Sequence, residues 1–213
     1  MGRKVRADAL ALWPGAGSSS EHPTLRALEE GLAPLPVARF DFPYRREGRR
    51  APDRANKLIA SLREDVAGLC LRLGATSDRI VLGGRSMGGR MASMAAAGAT
   101  GETKKGSEPF TDPLPLAGLV LISYPLHPPG KPERLRTEHL DRLRVPVLSI
   151  AGDRDAFGGP DELAAAMAAV PGAVTTVTVP GAGHDLKGAD ELILAAVRDW
   201  LAGRAPHGRG PRG

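Results

Sequence analysis

Short, almost continuously apolar runs alternate along this chain with longer segments of helical periodicity. No other feature constrains the fold as much. Runs at 9–13, 37–42, 79–83, 116–123, 145–151 and 174–179 read as six strands. Between them lie helical patterns at 24–32, 53–73, 87–97, 161–170 and 189–201, and 131–143 is expected to contain one more helix. Strands that are apolar on both faces are buried on both, and parallel neighbours need crossovers of helix length. The pattern therefore predicts an α/β chain: a mostly parallel sheet of about six strands with helices on both faces. Gly74 stands where the 53–73 helix should stop.

A length of 213 residues suits one large domain. Residues 1–203 are expected to form it, with 204–213 a disordered tail. A polar loop at 98–115 is expected to be mobile, and no insertion is large enough for a separate lid domain. Aromatics make up only 4%, so the core must come mainly from Ala, Val, Leu and Ile.

The single cysteine, Cys70, excludes an intramolecular disulfide and suits a cytoplasmic setting; Leu69, Leu71 and Leu73 around it suggest a buried structural thiol. The basic start and the apolar run to Trp13 could imitate a leader, but Asp8 interrupts the run and Pro14-Gly15 ends it, so a first strand is expected. No apolar stretch is long enough to span a bilayer. The net charge of +5 permits anionic partners. Yet the clusters at Arg45, Arg46, Arg49 and Arg50 and at Arg204, Arg209 and Arg212 lack interleaved aromatics, so no nucleic-acid partner is expected.

Gly84-Arg85-Ser86-Met87-Gly88 lies between a strand and a small-residue helix. A Gly-x-Ser-x-Gly turn there is the nucleophile elbow of the α/β-hydrolases: the serine sits on a strained turn above the sheet edge, where bulkier flanking residues would clash. The five-residue pattern alone would arise by chance in such a Gly-rich chain with odds of order 0.1, so the strand–helix setting carries the assignment. A phosphate-binding loop is the rival reading, but Gly83–Gly89 lacks both the Gly-Lys-Ser/Thr ending and Gly-x-Gly-x-x-Gly spacing.

A serine needs a base, and in this fold the order along the chain is nucleophile, acid, base. Among five histidines, His184 follows the last strand in a Gly-rich loop; His127 and His139 precede any suitable acid, and His207 is in the tail. The acid should follow the fifth strand. Asp153 and Asp155 both qualify, and Asp155 has the favoured Gly-x-x-Asp spacing; Asp185, beside the histidine, reads as structural. The loop Pro14-Gly15-Ala16-Gly17 follows the first strand. The amides of Ala16 and Met87 are the expected oxyanion donors.

The chain resembles a small, lidless α/β-hydrolase family related to dienelactone hydrolases, which is also similar to testis-expressed-thirty-like proteins and to a subunit of the NSL histone-acetyltransferase complex. The resemblance rests on Gly15-Ala16-Gly17, Asp41-Phe42-Pro43-Tyr44, Gly83 to Met91, Tyr124 to Pro132, Arg136 to Leu140 and Arg154 to Gly158, and covers roughly residues 7–202. It implies the α/β-hydrolase fold without a lid domain. The family usually has His before Gly-Ala-Gly, where this chain has Pro14, and tends to have proline at Ala156. A backbone donor at Ala16 does not depend on the preceding side chain. The stretch 124–140 is expected to overhang the site, and Tyr44, Arg85 and His127 are pocket candidates.

The expected function is a serine hydrolase acting on a small ester, thioester or related acyl compound, with Ser86, His184 and Asp155 as the triad and no cofactor or metal. The alternative is a non-catalytic interaction module that kept the fold. The sequence does not determine the oligomeric state.

Overall fold

The computed structural model describes residues 5–101 and 109–204. Six parallel strands form one sheet: β1 (Ala9–Trp13), β2 (Val37–Arg39), β3 (Ile80–Arg85), β4 (Gly118–Ile122), β5 (Val147–Gly152) and β6 (Val174–Val179). Their order is β2-β1-β3-β4-β5-β6. Six α-helices connect them: α1 (Pro23–Gly31), α2 (Pro43–Arg46), α3 (Ala55–Leu73), α4 (Met87–Ala96), α5 (Pro160–Met167) and α6 (Asp190–Leu201).

The central strands β1, β3, β4 and β5 read as nearly unbroken apolar runs because both faces of the sheet are covered there, whereas the edge strands β2 and β6 are only partly buried. Ala9, Ala11, Trp13, Ile80, Leu82, Leu119 and Leu121 point into one core, closed by α3, α4 and α5. The alternate residues, Leu10, Leu12, Val81, Val120 and Ile122, point into the other, closed by α1 and α6. Helix α3 buries Leu58, Ile59, Leu62, Val66 and Leu69 along one stripe and ends at Gly74 in the left-handed conformation at φ 61°. Pro23 opens α1, where the His22 ring accepts from the Thr24 amide at 3.2 Å.

The connection from β1 runs to one side and that into β3 to the other, so the strand order reverses between them. Such a switch point leaves a crevice at the carboxyl ends of the strands. The loops after β1 and β3 meet there.

Several boundaries differ from the sequence reading. Strand β2 stops at Arg39, because Asp41 is bound by the Ser20 amide and hydroxyl at 2.8 and 2.9 Å and Pro43 opens α2. Helix α3 starts at Ala55 rather than 53, and β3 continues to Arg85. No α-helix forms in 131–143, which holds only a 3-10 turn at Leu140–Arg142. Its backbone is bound to the exit of β4 instead: the Arg136 amide donates to the Leu126 carbonyl at 2.9 Å, and the Tyr124 hydroxyl to the Arg136 carbonyl at 2.6 Å. The segment is a strap, not a helix.

Cys70 is half-buried, and Leu71 is 84% exposed, because successive residues of a helix are turned about 100° around its axis. Burial raises the Cys70 thiol above its ordinary value. The flanks of the polar loop are bridged between Ala99 and Phe110, while 102–108 lie outside the described residues. Arg204 is tied to Asp199 through its amide and guanidinium; the rest of the expected tail, 205–213, lies outside the described residues. Among the described residues no helix is long and apolar enough to cross a membrane.

Candidate active site

Ser86 stands between β3 and α4 with φ 47° and ψ −114°, a conformation that ordinary residues avoid. Its amide donates to the Ile122 carbonyl at 2.8 Å, which holds the turn to β4. The flanking glycines have a specific cause. A Cβ on Gly84 or on Gly88 would strike the Trp13 carbonyl of β1 far inside contact distance. The elbow is squeezed against β1, and only hydrogen fits there.

The loop after β6 brings His184 over the sheet edge. Its Nε2 lies 2.8 Å from Ser86 Oγ, and its Nδ1 lies 2.9 and 2.8 Å from the two oxygens of Asp155. A carboxylate only accepts, so Nδ1 carries the proton and donates to Asp155. That leaves the Nε2 lone pair to accept from the Ser86 hydroxyl. The Asp155 side chain is 1% exposed and also accepts from the Phe157 amide at 2.8 Å. The Phe157 ring stacks on His184 with centroids 4.0 Å apart. One short turn after β5 thus supplies both the carboxylate and the surface that limits ring rotation. Asp153 points elsewhere, accepting from the Gly181 amide at 2.7 Å, and Asp185 accepts from the Lys187 amide at 3.4 Å.

The 14–17 loop passes directly over the elbow: a Cβ on Gly15 would lie 3.5 Å from Ser86 Cβ. Ser18 donates to the Gly15 carbonyl at 3.1 Å, and the Tyr44 hydroxyl donates to the Ala16 carbonyl at 2.8 Å. Neither the Ala16 nor the Met87 amide is spent on another backbone group among the described residues. Met87 is also the first residue of α4, where helix amides are unsatisfied and favour negative charge.

A cavity of about 590 Å³ opens beside Ser86, within the size range of small-ligand sites. Of the three pocket candidates, only Arg85 lines it. Arg85 Nη2 donates to the His184 and Asp185 carbonyls at 3.1 and 2.8 Å, and Nη1 lies 2.7 Å from His22 Nε2. It therefore ties the elbow to the histidine loop. Tyr44 is fully buried behind the 14–17 loop, acting on Ala16 from outside the cavity. His127 turns away as well, with Nδ1 2.9 Å from the Pro128 carbonyl and Nε2 3.5 Å from Glu162. The proline-rich stretch 125–132 leaves β4 here, and the His127 ring folds back onto it and toward α5. The sequence reading did not single out four other lining residues: His22, Arg90, Arg136 and Phe157. Arg90, Arg136 and Phe157 lie within segments that carry the resemblance, Arg90 one helical turn after Ser86 and Phe157 two residues after Asp155, but nothing local marks them as facing a cavity; His22 lies far in sequence from the triad. No group of three or more His, Cys, Asp or Glu side chains among the described residues is arranged to hold a metal ion.

The sheet order, the elbow and the crevice define an α/β-hydrolase fold. The chain belongs to the alpha/beta hydrolase domain family, whose model matches residues 6–192. Among solved structures it is similar to a dienelactone hydrolase from Anabaena variabilis, at 20% identity and a TM-score of 0.67, covering 93% of this chain and 87% of that one. It is similar also to Est1E from Butyrivibrio proteoclasticus (18%, TM-score 0.66, 92% and 88% covered). A third is an alpha-beta serine hydrolase homologue from Coxiella burnetii (17%, TM-score 0.63, 94% and 86% covered).

Proposed function

We propose that this protein is a serine hydrolase that cleaves a small ester, thioester or related acyl substrate through an acyl-enzyme. The observation that carries this is the unbroken hydrogen-bond relay from Ser86 Oγ through His184 to buried Asp155. The Ser86 oxygen attacks the substrate carbonyl while His184 Nε2 takes its proton. The amides of Met87 and Ala16 hold the tetrahedral oxyanion. Collapse of the intermediate expels the leaving group, which takes the proton from His184. Water then enters, gives a proton to His184 and attacks the acyl carbon. The acid departs, and Ser86 recovers its proton. Asp155 orients the imidazole and stabilises its charged form throughout. Arg85 and Phe157 hold the histidine loop and ring in register. Each step is served by residues of this chain. Membership of a hydrolase family, with a dienelactone hydrolase and a serine hydrolase homologue among its structural neighbours, supports the same reading.

Incubation with a fluorophosphonate probe tests it. Wild-type protein should be labelled at neutral pH, and labelling should vanish in Ser86→Ala. A folded wild-type protein that takes no label would argue for a non-catalytic module on a hydrolase scaffold.

A further inference from the structure

The cavity beside Ser86 carries positive charge that the relay does not use. Three arginines line it, and Arg85 is committed to His22 and to the carbonyls of the histidine loop. Arg90 and Arg136 are not committed. Neither forms an ion pair among the described residues, whereas Arg39, Arg46, Arg49 and Arg79 all do. Arg90 Nε is buried with no hydrogen-bond partner among the described residues. Arg136 makes one long bond, from Nη1 to the Pro125 carbonyl at 3.3 Å. Burial holds the Arg136 guanidinium below its ordinary value, and the Arg90 charge adds to that shift, with the pull of Glu138 ranking last among its causes. The carboxylate of Asp155 is already taken by His184. Two partly buried cations that repel each other, one with an orphaned donor, have no ion-pair partner among the described residues.

We infer that Arg90 and Arg136 form an anion subsite, and that the substrate carries a carboxylate or a phosphate-like group held there. A planar guanidinium matches two oxygens of either group. The placement also sets a spacing. Arg90 lies on α4 four residues after Ser86, which is about 6 Å of helix rise on the same face. The anionic group therefore stands a few carbon atoms from the scissile carbonyl. As a statement about substrate this rests on the hydrolase reading above; as a statement about binding it does not.

The two are separated by measuring binding and cleavage independently. Calorimetric titration of the full chain with hexanedioate, 5-phosphonopentanoate and neutral hexanediamide should show the two anions binding and the diamide not. The tighter anion identifies the headgroup. Binding should weaken about tenfold or more in Arg90→Gln and in Arg136→Gln, with thermal melting showing that each variant is folded. Arg90→Lys, which keeps the charge, should recover part of the loss. Equal binding of the diamide, no binding of either anion, or unchanged anion binding in the folded glutamine variants would overturn the subsite. In parallel, the 4-nitrophenyl monoester of hexanedioic acid should exceed the hexanoate ester in kcat/KM by about tenfold. That preference should collapse toward unity in Arg136→Gln, through KM. Hydrolysis without any preference for the charged ester would sink the subsite and leave the hydrolase standing. Anion binding without any ester cleavage would do the reverse.

Discussion

At Ser86, His184 and Asp155 the proposed chemistry depends on which atom donates. Both Asp155 oxygens face Nδ1, so the imidazole is held in the tautomer that leaves Nε2 free for Ser86. Asp155→Asn keeps the volume but can turn an amide donor toward Nδ1, which favours the opposite tautomer. We expect kcat for an activated ester to fall roughly 10³- to 10⁴-fold with KM little changed, as in the Ser-His-Asp proteases from which that magnitude is taken. Steady-state kinetics at neutral pH measure it. An unchanged kcat would mean that the carboxylate is not part of the machinery. Tyr44 shows a different kind of residue: it lies outside the cavity, yet its hydroxyl fixes the Ala16 carbonyl and so the peptides of the loop proposed to hold the oxyanion.

At the scale of elements, the site is made by the tight approach of β1 to the elbow. Gly88 is the first full turn of α4, and a methyl there meets the Trp13 and Pro14 carbonyls, which belong to backbone and cannot swing aside. Gly88→Ala should therefore push α4 off the sheet, costing roughly 2–3 kcal/mol and lowering the melting temperature by about 5–10 °C. A thermal melt decides it; a variant as stable as wild type would show that the packing is looser than described. The same substitution on Gly17, where nothing lies within 4 Å of a Cβ, should leave stability nearly unchanged.

Across the whole molecule, a buried histidine couples stability to acid. His139 is 2% exposed, with Nε2 2.8 Å from Ser93 Oγ. Burial, with the nearby Arg90 charge, pushes it from 6.5 down to about 3. As pH falls below 6.5 the unfolded chain takes up this proton and the folded chain does not. The contribution is thus complete above 6.5 and is lost progressively toward 3, on the order of 3–5 kcal/mol in all. Urea denaturation between pH 4.5 and 7 should show stability falling with acid. His139→Met should flatten that slope by about 1.4 kcal/mol per pH unit. An identical slope in both proteins would mean that other groups govern acid unfolding.

Element types and chain order were legible in the sequence because they rest on local periodicity. Six strands, the Gly74 stop and the strand–helix setting of Ser86 are all written in windows of a few residues. The strap at 131–143 departs from the helix expected within it for the same reason: the partners of its backbone, the Leu126 carbonyl and the Tyr124 hydroxyl, lie in the exit of β4, and no local pattern reports them. His127 and Tyr44 were placed as pocket candidates from motif proximity, whereas the direction of a side chain depends on packing from other elements. The sequence by itself determined a parallel α/β sheet with a serine on a strained turn and named Asp155 and His184 as its partners. Only the tertiary structure decided that those three side chains stand in one hydrogen-bonded line, and that Arg90 and Arg136 face the same cavity without an ion-pair partner among the described residues. Both are relations between residues far apart in the chain, set by where the strands end rather than by which residues are neighbours.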